Sequence, residues 1–129
     1  MSINTTLNYS PNFNIKKRKP NQIKFIIIHY TGMKSQSKAI ERLCDSSSKV
    51  STHYFIKDNG KLVNLVPDLY EAWHAGNSSW KNFKSLNKYS IGIEINNPGH
   101  DHGYSKLLTT AFQRRFRQEL VNGIIDQEC

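Results

Sequence analysis

The stretch Ile23-Lys24-Phe25-Ile26-Ile27-Ile28-His29-Tyr30-Thr31-Gly32 decides the fold of this chain. Its short, mostly β-branched apolar run predicts a strand that is covered on both faces within a sheet. Because Thr31-Gly32 breaks the strand, His29 should lie at the lip of the sheet, where a rigid strand end opens into a crevice. A lone histidine is more often a hydrogen-bonded structural residue, so the interpretation of His29 as a ligand depends on the other strands.

The next two strands form a predicted hairpin. Residues 50–57 alternate, with Tyr54 on one face and His53 on the other, as is typical of a strand. Asp58-Asn59-Gly60-Lys61 carries the Asn-Gly signal of a tight turn. Residues 62–66 are then expected to form the returning strand of the hairpin, beside residues 50–57.

A further strand is predicted at residues 90–96, and it contains a carboxylate among isoleucines. Ile91, Ile93 and Ile95 share one face, whereas Glu94 lies on the other. Desolvation in a core strand raises the pKa of a carboxyl group toward the range of a general base. The alternative is an edge carboxylate that points to solvent. If Glu94 and His29 lie on one side of the sheet, they suit zinc-assisted hydrolysis, although such a site needs three protein ligands.

Two segments have the spacing of apolar residues that predicts amphipathic helices. The first runs from Ser35 to Cys44, with Ser37 as its expected N-cap. The second lies within residues 105–125, where the apolar positions are Leu108, Ala111, Phe112, Phe116, Leu120 and Ile124. The length of the chain indicates one domain at residues 23–129, preceded by an extended N-terminal arm at residues 1–22.

Charge and composition limit the partners. The 129 residues carry a formal net charge of +8, which favours polyanionic partners without selecting one. The basic run Lys16-Lys17-Arg18-Lys19 is interpreted as solvated surface, and without a recognition helix or a single-strand platform we expect no nucleic-acid binding. No apolar stretch approaches the ~20 residues of a transmembrane segment, and no secretory signal is evident, which favours the cytoplasm. Cys44 and Cys129 lack metal-type spacing and are expected to be free thiols.

Four ordered motifs carry a resemblance to a known family. They are Ile28-His29-Tyr30-Thr31-Gly32, Val50-Ser51-Thr52-His53-Tyr54-Phe55-Ile56, Ala72-Trp73-His74-Ala75-Gly76 and Ser90-Ile91-Gly92-Ile93-Glu94. Together they resemble the zinc-dependent N-acetylmuramoyl-L-alanine amidases of the second amidase family. The AmpD/AmiD branch is the most similar, and T7-type lysozyme and the peptidoglycan recognition proteins are related.

The resemblance implies an α/β fold with a mixed central β-sheet flanked by helices. It also implies hydrolysis of the amide between N-acetylmuramic acid and L-alanine in peptidoglycan or muropeptides. In this reading His29 is the first Zn²⁺ ligand and Glu94 the catalytic acid/base. Tyr54, His74 and Trp73 contact substrate, with core packing as the alternative for Trp73. The expected state is a monomer, and family analogy adds the periplasm or secretion to the possible compartments.

One departure from the family concerns the metal. The other zinc ligands and an oxyanion-stabilising lysine of the family follow the last helix, and this sequence ends before that segment. We therefore expect a domain that lacks its C-terminal segment, an incomplete zinc site and impaired activity. His100, Asp101, His102 and Cys129 do not match the family pattern and remain candidate surrogate ligands. The alternative function is a non-catalytic module that binds peptidoglycan or muropeptides.

Overall fold

A computed structural model describes residues 5–98, which form nine short strands and one α-helix within that range. Helix α1 spans Gln36–Cys44, and 3₁₀ helices span Pro20–Gln22 and Leu86–Tyr89. The strands are β1 (Thr5–Leu7), β2 (Phe13–Asn14), β3 (Phe25–Tyr30), β4 (Tyr54–Ile56), β5 (Leu62–Asn64), β6 (Glu71–Ala72), β7 (Ser79–Trp80), β8 (Phe83–Lys84) and β9 (Ser90–Ile95). The predicted helix at residues 105–125 lies outside the described residues.

The centre of the fold is a mixed five-stranded sheet in the order β1-β5-β4-β9-β3. The pairs β1–β5, β4–β9 and β3–β9 are parallel, and β4–β5 is the antiparallel hairpin predicted from the Asn-Gly signal. Gly60 has φ +78° in that turn, a conformation that glycine adopts without strain. The β2–β6 and β7–β8 pairs form two small antiparallel ribbons.

Two apolar clusters cover opposite faces of the sheet. On one face Tyr54 and Ile56 pack with Leu62 and the three isoleucines of β9. On the other face Phe55, Val63 and Leu65 pack against Ala39 and Leu43 of α1. Burying a side chain of this size contributes about 1.5–3 kcal/mol, so these clusters hold the sheet and helix together.

Strand β3 lies at the edge of the sheet, and one of its faces is exposed. This corrects the expectation that both faces of the strand are covered. Its residues Ile26 and Ile28 are 49% and 38% exposed, respectively. The fully covered strand is its neighbour β9, in which every residue except Glu94 is buried. The apolar run of β3 therefore predicted a strand correctly, but it did not indicate that one face of the strand is exposed.

The N-cap of helix α1 lies two residues before the predicted one. The Ser35 hydroxyl, rather than that of Ser37, accepts a hydrogen bond from the Lys38 amide at 3.3 Å. Ala39 and Leu43 then lie on the face that packs on the sheet. Within residues 5–98, no helix combines the length and the hydrophobicity that crossing a bilayer requires.

The N-terminal segment is part of the domain and not a separate arm. Strand β1 pairs along β5, and the side-chain amide of Asn12 donates to the carbonyl oxygens of Asp45 and Val50, both at 2.8 Å. The Ser10 hydroxyl donates to the carbonyl of Leu43 at the end of α1. These contacts fasten the segment to the turn that follows the helix.

Arg18 is the charged residue that connects this segment to the loop at Asp68 and to the start of β9. The residue is 7% exposed, and its guanidinium donates to the carbonyl oxygens of Asn87 at 2.9 Å, Ser90 at 2.7 Å and Asp68 at 2.5 Å. Burial lowers the pKa of Arg18, and the nearby carboxylates Glu71 and Asp68 oppose that shift. The basic run was interpreted as solvated surface, which is wrong for Arg18.

We expect Arg18→Ala to lower the free energy of unfolding by about 2–4 kcal/mol, because three backbone carbonyls lose a charged donor. Urea unfolding followed by circular dichroism measures the change. Lys16→Ala is the matched control, since Lys16 is exposed in the same segment. Equal stability of the two variants would contradict the structural role given to Arg18.

Candidate active site

The parallel pairing of β3 with β9 brings the two predicted functional groups together. His29 is the register partner of Glu94, so the two side chains leave the same face of the sheet from adjacent strands. Both are half-buried. Beside them lies a cleft of about 280 Å³, lined by Thr31, Met33, Ala39, Arg42, Leu43, Val50, Ser51, Trp73, His74 and Glu94.

The Glu94 carboxyl group is desolvated and incompletely bonded. Its burial raises the pKa from 4.5 to about 7. Among the described residues, Oε2 is buried without a hydrogen-bond partner. A buried acceptor without a partner is costly, so an oxygen kept in that state beside a cleft is typical of a functional group.

His74 bridges His29 and the start of β9. Its Nδ1 lies 3.0 Å from Nε2 of His29, and its Nε2 lies 3.1 Å from the Ser90 hydroxyl. The side-chain oxygen of Asn87 accepts hydrogen bonds from the amides of His74 and Ala75, which holds the loop in place. Burial and the neighbouring His53 lower the pKa of His74 to about 3, so its imidazole is neutral at pH 7.

Gly92 makes room for the ring of His74. A Cβ atom at residue 92 would lie 2.3 Å from Cγ and 2.7 Å from Nδ1 of His74, far inside van der Waals contact. The glycine is therefore required by the close approach of an imidazole to the β9 backbone.

His53 supports the position of His74 through the backbone of β9. The side chain is fully buried, and its Nδ1 accepts a hydrogen bond from the Gly92 amide at 2.9 Å. Nε2 must then carry the ring proton, which it donates to the Tyr70 carbonyl at 2.9 Å. Arg18 Nη2 lies 3.0 Å from the same Nε2 and donates one of its two protons to the backbone carbonyl of Asp68. Burial lowers the pKa of His53 to about 4.

The two other predicted substrate residues lie in different places. Trp73 lines the cleft, and its indole N–H donates to the side chain of Asn14 at 3.2 Å. Tyr54 pairs with Ile93 and packs in the apolar cluster on the face opposite Glu94. Its hydroxyl donates to Asp68 at 2.6 Å. We therefore correct the placement of Tyr54 at the cleft: it belongs to the core.

The described residues supply one candidate metal ligand at the cleft. Burial lowers the pKa of His29, which favours the neutral imidazole that metals bind. No group of three or more His, Cys, Asp or Glu side chains able to hold a metal occurs within residues 5–98. The proposed surrogates His100, Asp101, His102 and Cys129 lie outside that range.

Comparison with known proteins agrees with this geometry. The family model of N-acetylmuramoyl-L-alanine amidase matches residues 19–126, which is most of the chain. This chain belongs to the N-acetylmuramoyl-L-alanine amidase family. The assignment confirms the family resemblance, and the mixed sheet is the expected amidase fold.

Individual members of the amidase family show the extent of the likeness. AmiD of Escherichia coli is 41% identical over 85 residues, which cover 60% of this chain and 30% of AmiD. Its structure with the substrate anhydro-N-acetylmuramic acid-L-Ala-D-γ-Glu-L-Lys superimposes with a TM-score of 0.55 at 39% identity, over 60% of this chain and 32% of that one. AmpDH3 of Pseudomonas aeruginosa in complex with anhydromuramic pentapeptide gives 0.68 at 25% identity, over 82% and 49%. The chain thus spans about a third of AmiD.

We expect Gly92→Ala to destabilise the protein by about 2–4 kcal/mol, because the added methyl group overlaps the His74 ring and forces it to move. The free energy of unfolding from urea denaturation measures this cost. In a His74→Ala background the same change should cost much less, since the overlap is gone. An equal cost in both backgrounds would show that the contact does not determine the requirement for glycine.

We expect the Glu94 carboxyl group to make the metal-free protein less stable as the pH rises from 4.5 to 7. The unfolded carboxyl group loses its proton near pH 4.5 and the folded one near pH 7, so rising pH destabilises the fold across that interval. A shift of this size corresponds to about 3 kcal/mol. The difference in unfolding free energy between wild type and Glu94→Gln, measured from pH 4 to 8, isolates this effect.

Glu41→Gln is the control for that titration, because Glu41 is an exposed carboxylate on α1. The histidine contributions cancel in the difference, since both proteins keep His53 and His74. A difference that does not change between pH 4.5 and 7 would mean that the Glu94 carboxyl group titrates normally.

Proposed function

We propose that this protein hydrolyses the amide bond between N-acetylmuramic acid and L-alanine in peptidoglycan or muropeptides. The observation that supports it most directly is the buried, unpaired Oε2 of Glu94 beside a cleft, in a chain of the amidase family. A carboxylate with a pKa of about 7 is matched to proton transfer at neutral pH.

His29, which lies beside this cleft, is the residue that would hold a zinc ion. Its imidazole is neutral, it is adjacent to Glu94, and the unpaired carboxylate oxygen has the chemistry of a group that receives a proton from water. A zinc ion bound there would supply Lewis acidity to the scissile carbonyl and to water. Two further ligands are needed, and the proposal places them outside residues 5–98.

Glu94 has two tasks in this reaction. The carboxylate removes a proton from the attacking water, and the resulting carboxylic acid donates a proton to the nitrogen of L-alanine as the amide bond breaks. Burial keeps the carboxyl group from competing water and makes both protonation states accessible near pH 7.

The cleft wall contains an apolar side chain, Trp73, and a positively charged one, Arg42. The half-buried indole of Trp73 presents a flat apolar surface of the kind on which sugar rings and peptides pack. Arg42 contributes a cation at the same cleft, which suits a substrate that carries carboxylates.

The second candidate is a non-catalytic module that binds muropeptides in the same cleft. It is favoured by one observation: within residues 5–98 no cluster of three metal-binding side chains exists. Such a module would keep Trp73 and the cleft and would bind substrate without cleaving it.

We expect the wild-type protein, supplied with zinc, to release free peptide from anhydro-N-acetylmuramic acid-L-Ala-D-γ-Glu-L-Lys. Glu94→Gln should lower the rate by roughly 10²–10⁴-fold, because an amide cannot transfer the proton, while substrate affinity stays within a few-fold. Chromatographic quantification of the peptide gives the rate, and calorimetry gives the affinity.

Glu41→Gln controls for the loss of a carboxylate and should match wild type. Zinc content by mass spectrometry, compared between wild type and His29→Ala, tests the metal assignment on the same samples. Binding without cleavage in the wild type would favour the module. Cleavage that survives Glu94→Gln would overturn the assignment of the general base.

A further inference from the structure

At the start of β9, the hydroxyl of Ser90 uses its proton in a hydrogen bond within the protein. Ser90 is fully buried, and its Oγ donates to the Leu86 carbonyl at 2.7 Å. A carbonyl oxygen can only accept, and a hydroxyl has a single proton. The second contact of Oγ, 3.1 Å from Nε2 of His74, must therefore be one in which the imidazole N–H donates to Ser90.

The hydrogen bond from His74 to Ser90 also determines which atom donates in the contact between His74 and His29. A neutral imidazole that carries its proton on Nε2 has a lone pair on Nδ1. Nδ1 of His74 therefore accepts from His29, and the donor at 3.0 Å is Nε2–H of His29. The Nδ1 atom of His29 is then left with a lone pair, for which the described residues offer no hydrogen-bond partner.

We propose that Ser90 and His74 are positioning residues that fix His29 in the Nε2–H tautomer, so that Nδ1 is the atom presented to an electrophile. The part of this inference that concerns a metal rests on the proposed function. The tautomer itself does not, because it follows from hydrogen bonds within the chain.

The surroundings of His74 are consistent with a rigid relay. Asn87 fixes the backbone on one side of the ring, and Gly92 allows the ring to lie directly on β9. His53 packs edge-to-face against His74 with centroids 5.7 Å apart, and its own proton is directed away to Tyr70. Both ring nitrogens of His74 are thus engaged within the protein, which distinguishes it from a residue that donates to substrate.

Outer hydrogen bonds of this kind orient metal-binding histidines and raise their basicity, and their loss typically costs roughly 10–100-fold in metal affinity. Sequence analysis gave neither Ser90 nor Asn87 a role, although Ser90 begins the motif Ser90-Ile91-Gly92-Ile93-Glu94.

The tautomer is tested on metal-free protein by two-bond ¹H–¹⁵N correlation NMR, with the resonances assigned through His29→Gln and His74→Gln. In the wild type we expect a protonated Nε2 and an unprotonated Nδ1 for both His29 and His74. In Ser90→Ala both rings should show mixed tautomers, and Ser90→Thr should restore the wild-type pattern by returning the hydroxyl.

Ser79→Ala is the matched control, because Ser79 is exposed on β7 and should leave the imidazole signals unchanged. A proton on Nδ1 of His29 in the wild type would overturn the inference. So would a Ser90→Ala spectrum identical to that of the wild type in a folded protein.

Titration with Co²⁺, followed by its visible absorption, tests the consequence for metal binding. Ser90→Ala should weaken Co²⁺ affinity by roughly 10–100-fold relative to wild type and Ser79→Ala. If the wild type shows the expected tautomer and binds no metal, the proposed function fails while the relay stands. If the wild type, Ser90→Ala and Ser79→Ala bind Co²⁺ with equal affinity, the relay has no positioning role.

Discussion

The parallel register of β3 and β9 is the constraint on which the site depends. It makes His29 and Glu94 neighbours on one face, whereas a slip of one residue would send one of them to the opposite face. Burial of Ile91, Ile93 and Ile95 in one apolar cluster fixes the opposite face of β9 as the face that carries Glu94. Apolar packing on one face thus fixes polar chemistry on the other.

Sequence analysis found the components that depend on local pattern. The Asn-Gly hairpin and the alternation of β9 follow from turn chemistry and from a period of two. The placement of His29 beside Glu94 was a condition in that analysis, and the pairing of β3 with β9 meets it. Tyr54 was misplaced because its substrate role was inferred from the family resemblance, and periodicity does not say which face of β4 meets which face of β9. The pairing of Phe55, not Tyr54, with Glu94 settles that question, and it is a tertiary fact.

The residues that sequence analysis missed act through contacts distant along the chain. Asn87 holds the His74 loop with its side chain, and Ser90 receives the His74 proton. Neither residue type is unusual in a turn or at the start of a strand. Their roles arise only when the 3₁₀ helix at Leu86–Tyr89 is folded beside the loop that carries His74.

Burial has opposite consequences for the charges at this site. It disfavours the anion of Glu94 and the cations of His29 and His74, so each of these three groups is shifted toward its neutral form. A neutral imidazole keeps a lone pair, and a carboxyl group with a pKa of about 7 can both accept and donate a proton. Desolvation therefore prepares the two groups for complementary tasks, at a cost in stability that the adjoining apolar clusters offset.

Arg18 is a buried charge that holds together the segments around His53 and His74. Its carbonyl partners belong to Asp68, Asn87 and Ser90, which lie on the three segments that surround His53 and His74. A guanidinium has several donors in a fixed plane and can hold such segments at once, which a lysine ammonium does less well. Because Asn87 and Ser90 also bond to His74, the position of the imidazole depends on a residue of the N-terminal segment. The segment before β3 is thus required by the site, although it contributes no group to the line of contacts from Ser90 to His29.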